Sequence, residues 1–235
     1  MTLRLFAAFA ALIGSTACSN LPGRPRPGPE VVRPEEVLDF KTLYQENCSG
    51  CHGPNGEGNA SIALNNPVYL SIADDSNIRT VIARGVRGTQ MPPFAKSAGG
   101  SLTDQQVEAL VRGIRAWARP DELRGVSLPS YVAASPGDPK RGAEVYATFC
   151  SSCHGPNGEG AKGGSAIANG TYLALVSDQY LRTIVITGRP DLGAPDWRAN
   201  VKGRPMSEQE IGDVVAWLVS RRAQYPGQPY GHPGS

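Results

Sequence analysis

Along this 235-residue chain the apolar positions fall into two blocks that repeat each other. YLSIADDSNIRTVIARG, from Tyr69, and YLALVSDQYLRTIVITG, from Tyr172, both space Ile, Leu and Val three and four residues apart. That spacing predicts a helix in each block, ended by Gly85 in the first and Gly188 in the second. Further on, SLTDQQVEALVRGIRAW and PMSEQEIGDVVAWL return to helical spacing. Both open with a capping box, Thr103 with Gln106 and Ser207 with Glu210, a signature of a helix start. Another helix is expected earlier in each half; in the second, Asp138 is its N-cap and Pro139 its first residue. The duplicated order of helix, polar motif, helix, loop and terminal helix predicts an all-α protein of two similar units.

The ends of the repeat set the domain boundaries. We expect the first unit over residues 37–118, a linker over 119–137, the second unit over 138–225 and a tail over 226–235. Residues 1–17 read as an export signal: Arg4 gives a positive start, residues 5–13 are an apolar run too short to span a bilayer, and Ser15 and Ala17 are small residues at cleavage spacing. Cleavage there would leave Cys18 first, in the manner of a bacterial lipoprotein, although Ser15 stands where such signals usually carry Leu. An unpaired exported cysteine favours lipidation over plain cleavage, and a diacyl modification supplies the two chains that stable anchoring needs. Residues 18–36 contain LPGRPRPGPEVVRP, whose Pro and Gly content predicts an extended, semi-stiff tether. The chain is expected on the periplasmic side of a bacterial membrane.

Composition adds exclusions. The chain is 40% hydrophobic and 19% charged with net charge +2, which marks a globular protein with no nucleic-acid footprint.

The polar motif inside the repeat carries the chemistry. CSGCHGPNGEG starts at Cys48 and CSSCHGPNGEG at Cys150, and C-x-x-C-H is the attachment signature of c-type haem. Two thiols add across two vinyl groups of the porphyrin, and the adjacent imidazole becomes the proximal iron ligand. One haem c is thus expected on Cys48 and Cys51 with His52, and a second on Cys150 and Cys153 with His154. Zinc would need further N or S ligands that follow neither motif. Spacing alone leaves a disulfide open, but a disulfide gives no reason for the histidine that follows both pairs. The glycines lack the Lys-Ser/Thr of a nucleotide loop and suit a turn at the haem edge.

Motif and element order together resemble the class I cytochromes c, as two tandem domains, each a small helical bundle around one covalently bound haem. In that family the first and last helices cross and one haem edge is exposed for electron exchange. The resemblance extends to GTQMPPF, where Met91 stands in the ligand loop, so Met91 is expected as the sixth ligand of the first haem. In register with it the second half has Ala194, in GAPDW. Met206 is then the candidate ligand for the second iron, set against a second role: it precedes the N-cap Ser207 at the place of Leu102, where a hydrophobic staple enters the core. Otherwise the second haem is five-coordinate or takes Lys202, His232 or water.

The resemblance implies an electron carrier, not an enzyme. Its donor would be a membrane quinol-oxidising complex or dehydrogenase, and its acceptor an oxidase or another cytochrome, with the chain either free or built into a complex. The alternative is a peroxidase-like dihaem enzyme with one open catalytic haem. Arg79 and Arg182, which recur in the two halves, are candidates for a haem propionate or for a solvated helix face.

Overall fold

The structure is a computed structural model that describes residues 31–226. The export signal, Cys18, most of the tether, and His232 with nearly all of the tail lie outside the described residues. The chain divides into two compact units, Met1–Glu36 and Val37–Ser235. In the first, the described part is a 3-10 turn, Pro34–Glu36, with an Arg33–Glu36 ion pair of 2.6 Å.

The second unit is helical. Its first half holds α1 (Phe40–Asn47), α2 (Ser49–His52), α3 (Pro67–Ile72), α4 (Asp75–Arg84) and α5 (Asp104–Arg115). Its second half repeats the order with α6 (Pro139–Phe149), α7 (Ser151–His154), α8 (Gly170–Ala174), α9 (Asp178–Thr187) and α10 (Glu208–Val219). Among the described residues there is no strand, only isolated bridges such as Ala95–Leu102 and Arg189–Ala194.

Local chemistry accounts for the starts of these helices. Asp39 accepts from Thr42 N at 2.8 Å at the head of α1, and Asp138 accepts from Lys140 N and Arg141 N ahead of Pro139 at the head of α6. The terminal helices α5 and α10 both have the full reciprocal capping box expected for them.

Each block from Tyr69 and Tyr172 departs from its expected single helix, forming two. Asp74 and Ser177 are N-caps in extended conformation, accepting from Asn77 N and Tyr180 N, so each stops one helix and begins the next. An arginine from beyond the break secures it. Arg115 donates to the carbonyls of Leu70 and Ala73 and pairs with Asp75 at 2.7 Å. Arg222 does the same with Leu173, Val176 and Asp178. The orphan carbonyls at the ends of α3 and α8 therefore gain charged donors.

Two apolar clusters form. Leu43, Tyr44, Leu70, Ile78, Leu110 and Ile114 centre the first, and Tyr146, Phe149, Ile186, Ile211, Val214 and Trp217 the second. Each full burial of such a side chain stabilises the fold by about 1.5–3 kcal/mol. The clusters are not confined to their own halves. Val68 of α3 and Leu123 of the segment between the halves are both buried in the second cluster. That segment is packed down: Arg182, buried in α9, donates to Ser130 O at 2.7 Å and Tyr131 O at 3.1 Å and pairs with Glu208. Arg79 pairs with Glu108 across α4 and α5. Both arginines thus hold protein groups together.

Glycine lets the terminal helices approach closely. A Cβ on Gly142 of α6 would stand 2.0 Å from Asp213 O and 2.7 Å from Trp217 Cβ on α10. Alanine is the better helix former by up to about 1 kcal/mol, yet overpacking against backbone costs about 1–3 kcal/mol, so the clash should win. Gly142→Ala is expected to lower the urea midpoint; an unchanged or higher midpoint would refute the contact.

Candidate functional site

Each Cys-x-x-Cys-His run is a single helical turn. His52 N donates to Cys48 O, and His154 N to Cys150 O, both at 3.0 Å. The turn puts both thiols and the imidazole of each run on one short element. All four cysteines are free, with Cys51 and Cys153 exposed and Cys48 and Cys150 partly covered. Burial pushes the Cys48 thiol up to about 12 and the Cys150 thiol up to about 11. Burial thus favours the neutral thiol at these two positions, the form with a hydrogen to add across a vinyl group. Among the described residues no cluster of three or more His, Cys, Asp or Glu is arranged to hold a metal ion.

The imidazoles are oriented by backbone. His52 Nδ1 lies 2.9 Å from Ile62 O, and His154 Nδ1 lies 2.7 Å from Ser165 O. A carbonyl accepts only, so Nδ1 carries the proton and Nε2 keeps its lone pair for a metal. Burial lowers the pKa of His52, which keeps that ring neutral. The loop over His154 approaches so closely that a Cβ on Gly164 would stand 2.9 Å from Nδ1. Reduced thiol pairs beside histidines with Nε2 in reserve fit haem c in both halves.

A matching cage surrounds each turn. Tyr44 Oη donates to Gly53 O at 2.8 Å, and Tyr146 Oη donates to Gly155 O at 2.6 Å. Each tyrosine rests on a tryptophan: Tyr44 meets Trp117 edge-on at 5.1 Å, and Tyr146 stacks on Trp217 at 4.1 Å. Gly53 and Gly155 have φ of 82° and 81°, which only glycine adopts without strain. The PNGEG turns close alike, Glu57 and Glu159 accepting from Asn55 N and Asn157 N at 2.7 Å. These are turn contacts, as the sequence suggested, and not a phosphate cradle.

The loops after Gly85 and Gly188 share one backbone plan. Val86 N donates to Met91 O at 2.9 Å, and Arg189 N donates to Ala194 O at 3.0 Å. A Cβ on Gly85 would meet Met91 O at 2.5 Å, and one on Gly188 would meet Ala194 O at 2.6 Å. Ala194 therefore occupies the place of Met91. Met206 occupies the place of Leu102: Leu102 N donates to Phe94 O at 2.8 Å, Met206 N to Trp197 O at 3.0 Å, and a capping box follows each. Met206 is 4% exposed, inside the second apolar cluster. Lys202 is exposed.

The sites of the two halves adjoin. Arg189 donates to Asn59 O at 2.7 Å, Asn66 Nδ2 donates to Thr187 O at 3.3 Å, and a Cβ on Gly58 would stand 3.1 Å from Asp191. Sequence reading missed these links and the tyrosine and arginine clamps. Tyr44 and Tyr146 left a trace, each standing four residues before the first cysteine of its motif.

Known families match the chain half by half. Residues 35–112 match the family described as cytochrome C oxidase, cbb3-type, subunit III, and residues 139–222 match the family described as cytochrome c. The cbb3-type cytochrome c oxidase subunit CcoP of Azospirillum sp. (strain B510) is 28% identical over 148 residues, covering 56% of this chain and 45% of that protein. The cytochrome bc1 complex cytochrome c subunit of Mycobacterium bovis is 24% identical over 238 residues, covering 95% of this chain and 79% of that protein. The chain therefore spans under half the length of the oxidase subunit and about four fifths of the bc1 subunit. A solved chain of the Kuenenia stuttgartiensis reducing HAO-like protein complex has a TM-score of 0.44 at 19% identity, covering 82% of this chain and 100% of that one. With a Cys-x-x-Cys-His turn of the same geometry inside each matched span, the chain is a c-type cytochrome with two tandem haem-attachment domains.

Proposed function

We propose that the chain carries two haem c groups and relays electrons between protein redox partners at the periplasmic face of a bacterial membrane, anchored through a lipidated Cys18. Cys48, Cys51 and His52 hold the first haem, and Cys150, Cys153 and His154 the second. Each haem supplies a one-electron iron couple when bound. The chain's own residues fix the imidazoles through Ile62 O and Ser165 O, and Met91 is the protein ligand on the distal side of the first haem. The donor is a quinol-oxidising complex or dehydrogenase, and the acceptor an oxidase or another cytochrome. The respiratory complexes named for the relatives, a cbb3 oxidase and a bc1 complex, support a partner of that kind, met either in passing or as a permanent complex. The domain limits 37–118 and 138–225, joined by 119–137, belong to the same reading.

The observation that carries it is the duplicated carbonyl clamp on Nδ1 beside free thiols. The test is haem content by pyridine haemochrome after denaturation, from cells that mature c-type cytochromes. Two haems per chain are expected, falling to one in Cys48→Ala/Cys51→Ala; fewer than two in the wild type would overturn the count.

The open register at Ala194 favours a second reading, a peroxidase-like enzyme. Against it, the carboxylates of that loop are engaged: Asp191 pairs with Arg189 and Asp196 with Arg198, each at 2.6 Å. Neither is a free base for substrate chemistry. The carrier is the better account.

A further inference from the structure

We infer that the second haem presents an open distal position beside Ala194, which takes a small diatomic ligand from solution, while Met206 stays in the core. The inference rests on the two-haem reading and adds a binding site to it.

The argument comes from the backbone repeat. Val86 N to Met91 O and Arg189 N to Ala194 O are the same hydrogen bond in the two halves, both directly after a glycine of positive φ, Gly85 at 63° and Gly188 at 66°. The loop that carries a thioether in the first half thus carries a methyl in the second. A methyl has no lone pair and cannot bind iron. The backbone N–H of Met206 bonds to Trp197 O as that of Leu102 bonds to Phe94 O, which sets Met206 at the place of the staple residue Leu102. Its exposure of 4% is close to the 5% of Leu102, so it fills a core position that the first half fills with a side chain unable to ligate. Turning the Met206 side chain out of the cluster toward an iron would empty a packed site, which costs stability.

Chemistry selects the ligand. Ala194 offers no hydrogen bond to a guest, and Asp191 and Asp196 are held by arginines. A small neutral diatomic on reduced iron needs no donor, and carbon monoxide is the probe for it.

The experiment titrates the reduced full chain with carbon monoxide and follows the haem absorption bands, after haem content has been measured. Haem content below two per chain would be a failure of the two-haem reading; with two attached haems the titration bears on the site alone. One carbon monoxide per chain is expected in the wild type. Met206→Leu, which copies the first half, should keep that one equivalent. Ala194→Met should reduce it to none and add a methionine-to-iron charge-transfer band in the near infrared of the oxidised protein. No uptake by the wild type would overturn the open position, as would a carbon monoxide site that appears only in Met206→Leu. Uptake unchanged in Ala194→Met would remove Ala194 from the distal side.

Discussion

With Met91 replaced by leucine, one haem is expected to titrate at a potential lower by a few tenths of a volt, a fraction of the roughly 0.8 V over which axial ligands set haem potentials. The cause is ligand softness: a thioether stabilises reduced iron more than oxidised iron, and leucine supplies no ligand at all. Leucine also has about the volume of methionine, so the change is confined to the ligand atom. Met91 is only partly covered, and its backbone is held independently of its side chain, through Met91 N to Thr89 Oγ1 at 3.1 Å and Val86 N to Met91 O. The loop should therefore keep its shape. Redox potentiometry with optical detection checks this, and the second haem, whose loop has no Met91, should not move. Two unchanged potentials would remove Met91 from the iron.

Asp213→Ala is expected to destabilise the second half by about 1–3 kcal/mol, the cost of removing a buried carboxylate's charge-assisted hydrogen bonds and leaving the Asp138 N–H without its acceptor. Asp213 lies on α10 with its side chain only 3% exposed. It accepts from Arg141 at 2.8 and 3.0 Å, from Asp138 N at 2.7 Å and from Gln209 at 2.8 Å. It thus fastens the terminal helix to the N-terminus of α6. The Arg141 guanidinium and these donors hold its carboxyl down, from 3.8 to about 2. A depressed carboxylate adds stability that is complete above its unfolded value and is lost as pH falls through its folded one. The shift is worth about 2 kcal/mol, present above about pH 4 and lost toward pH 2. Urea denaturation at a series of pH values should therefore show the gap between wild type and variant narrowing in acid. A gap that stays constant would break the link to this carboxyl.

The helical class, the tandem order and the two Cys-x-x-Cys-His turns were legible in the sequence, because each rests on local spacing. Capping boxes at Thr103 and Ser207 involve residues three apart. The break between α3 and α4 was not anticipated, although Asp74, its N-cap, is of a residue type that starts helices. What decides it is Arg115, 42 residues from the Ala73 carbonyl it caps. The seat of Met206 was ambiguous for a related reason. A ligand and a staple are both apolar residues near a helix start, and the burial of Met206 beside a cluster with Phe149 and Ile186 involves residues far away along the chain.

Val68 belongs to one half and is buried in the core of the other, and Leu123 is buried there with it. Two copies of a domain joined by a loose segment would meet at a rate set by chain diffusion, with a spread of distances. Here separation would expose those side chains and break the Arg189 and Asn66 bonds to the neighbouring half. In the proposed dihaem carrier, exchange between the two irons would then be a first-order event, indifferent to dilution and to viscosity. Only encounters with a freely diffusing donor or acceptor would be second-order.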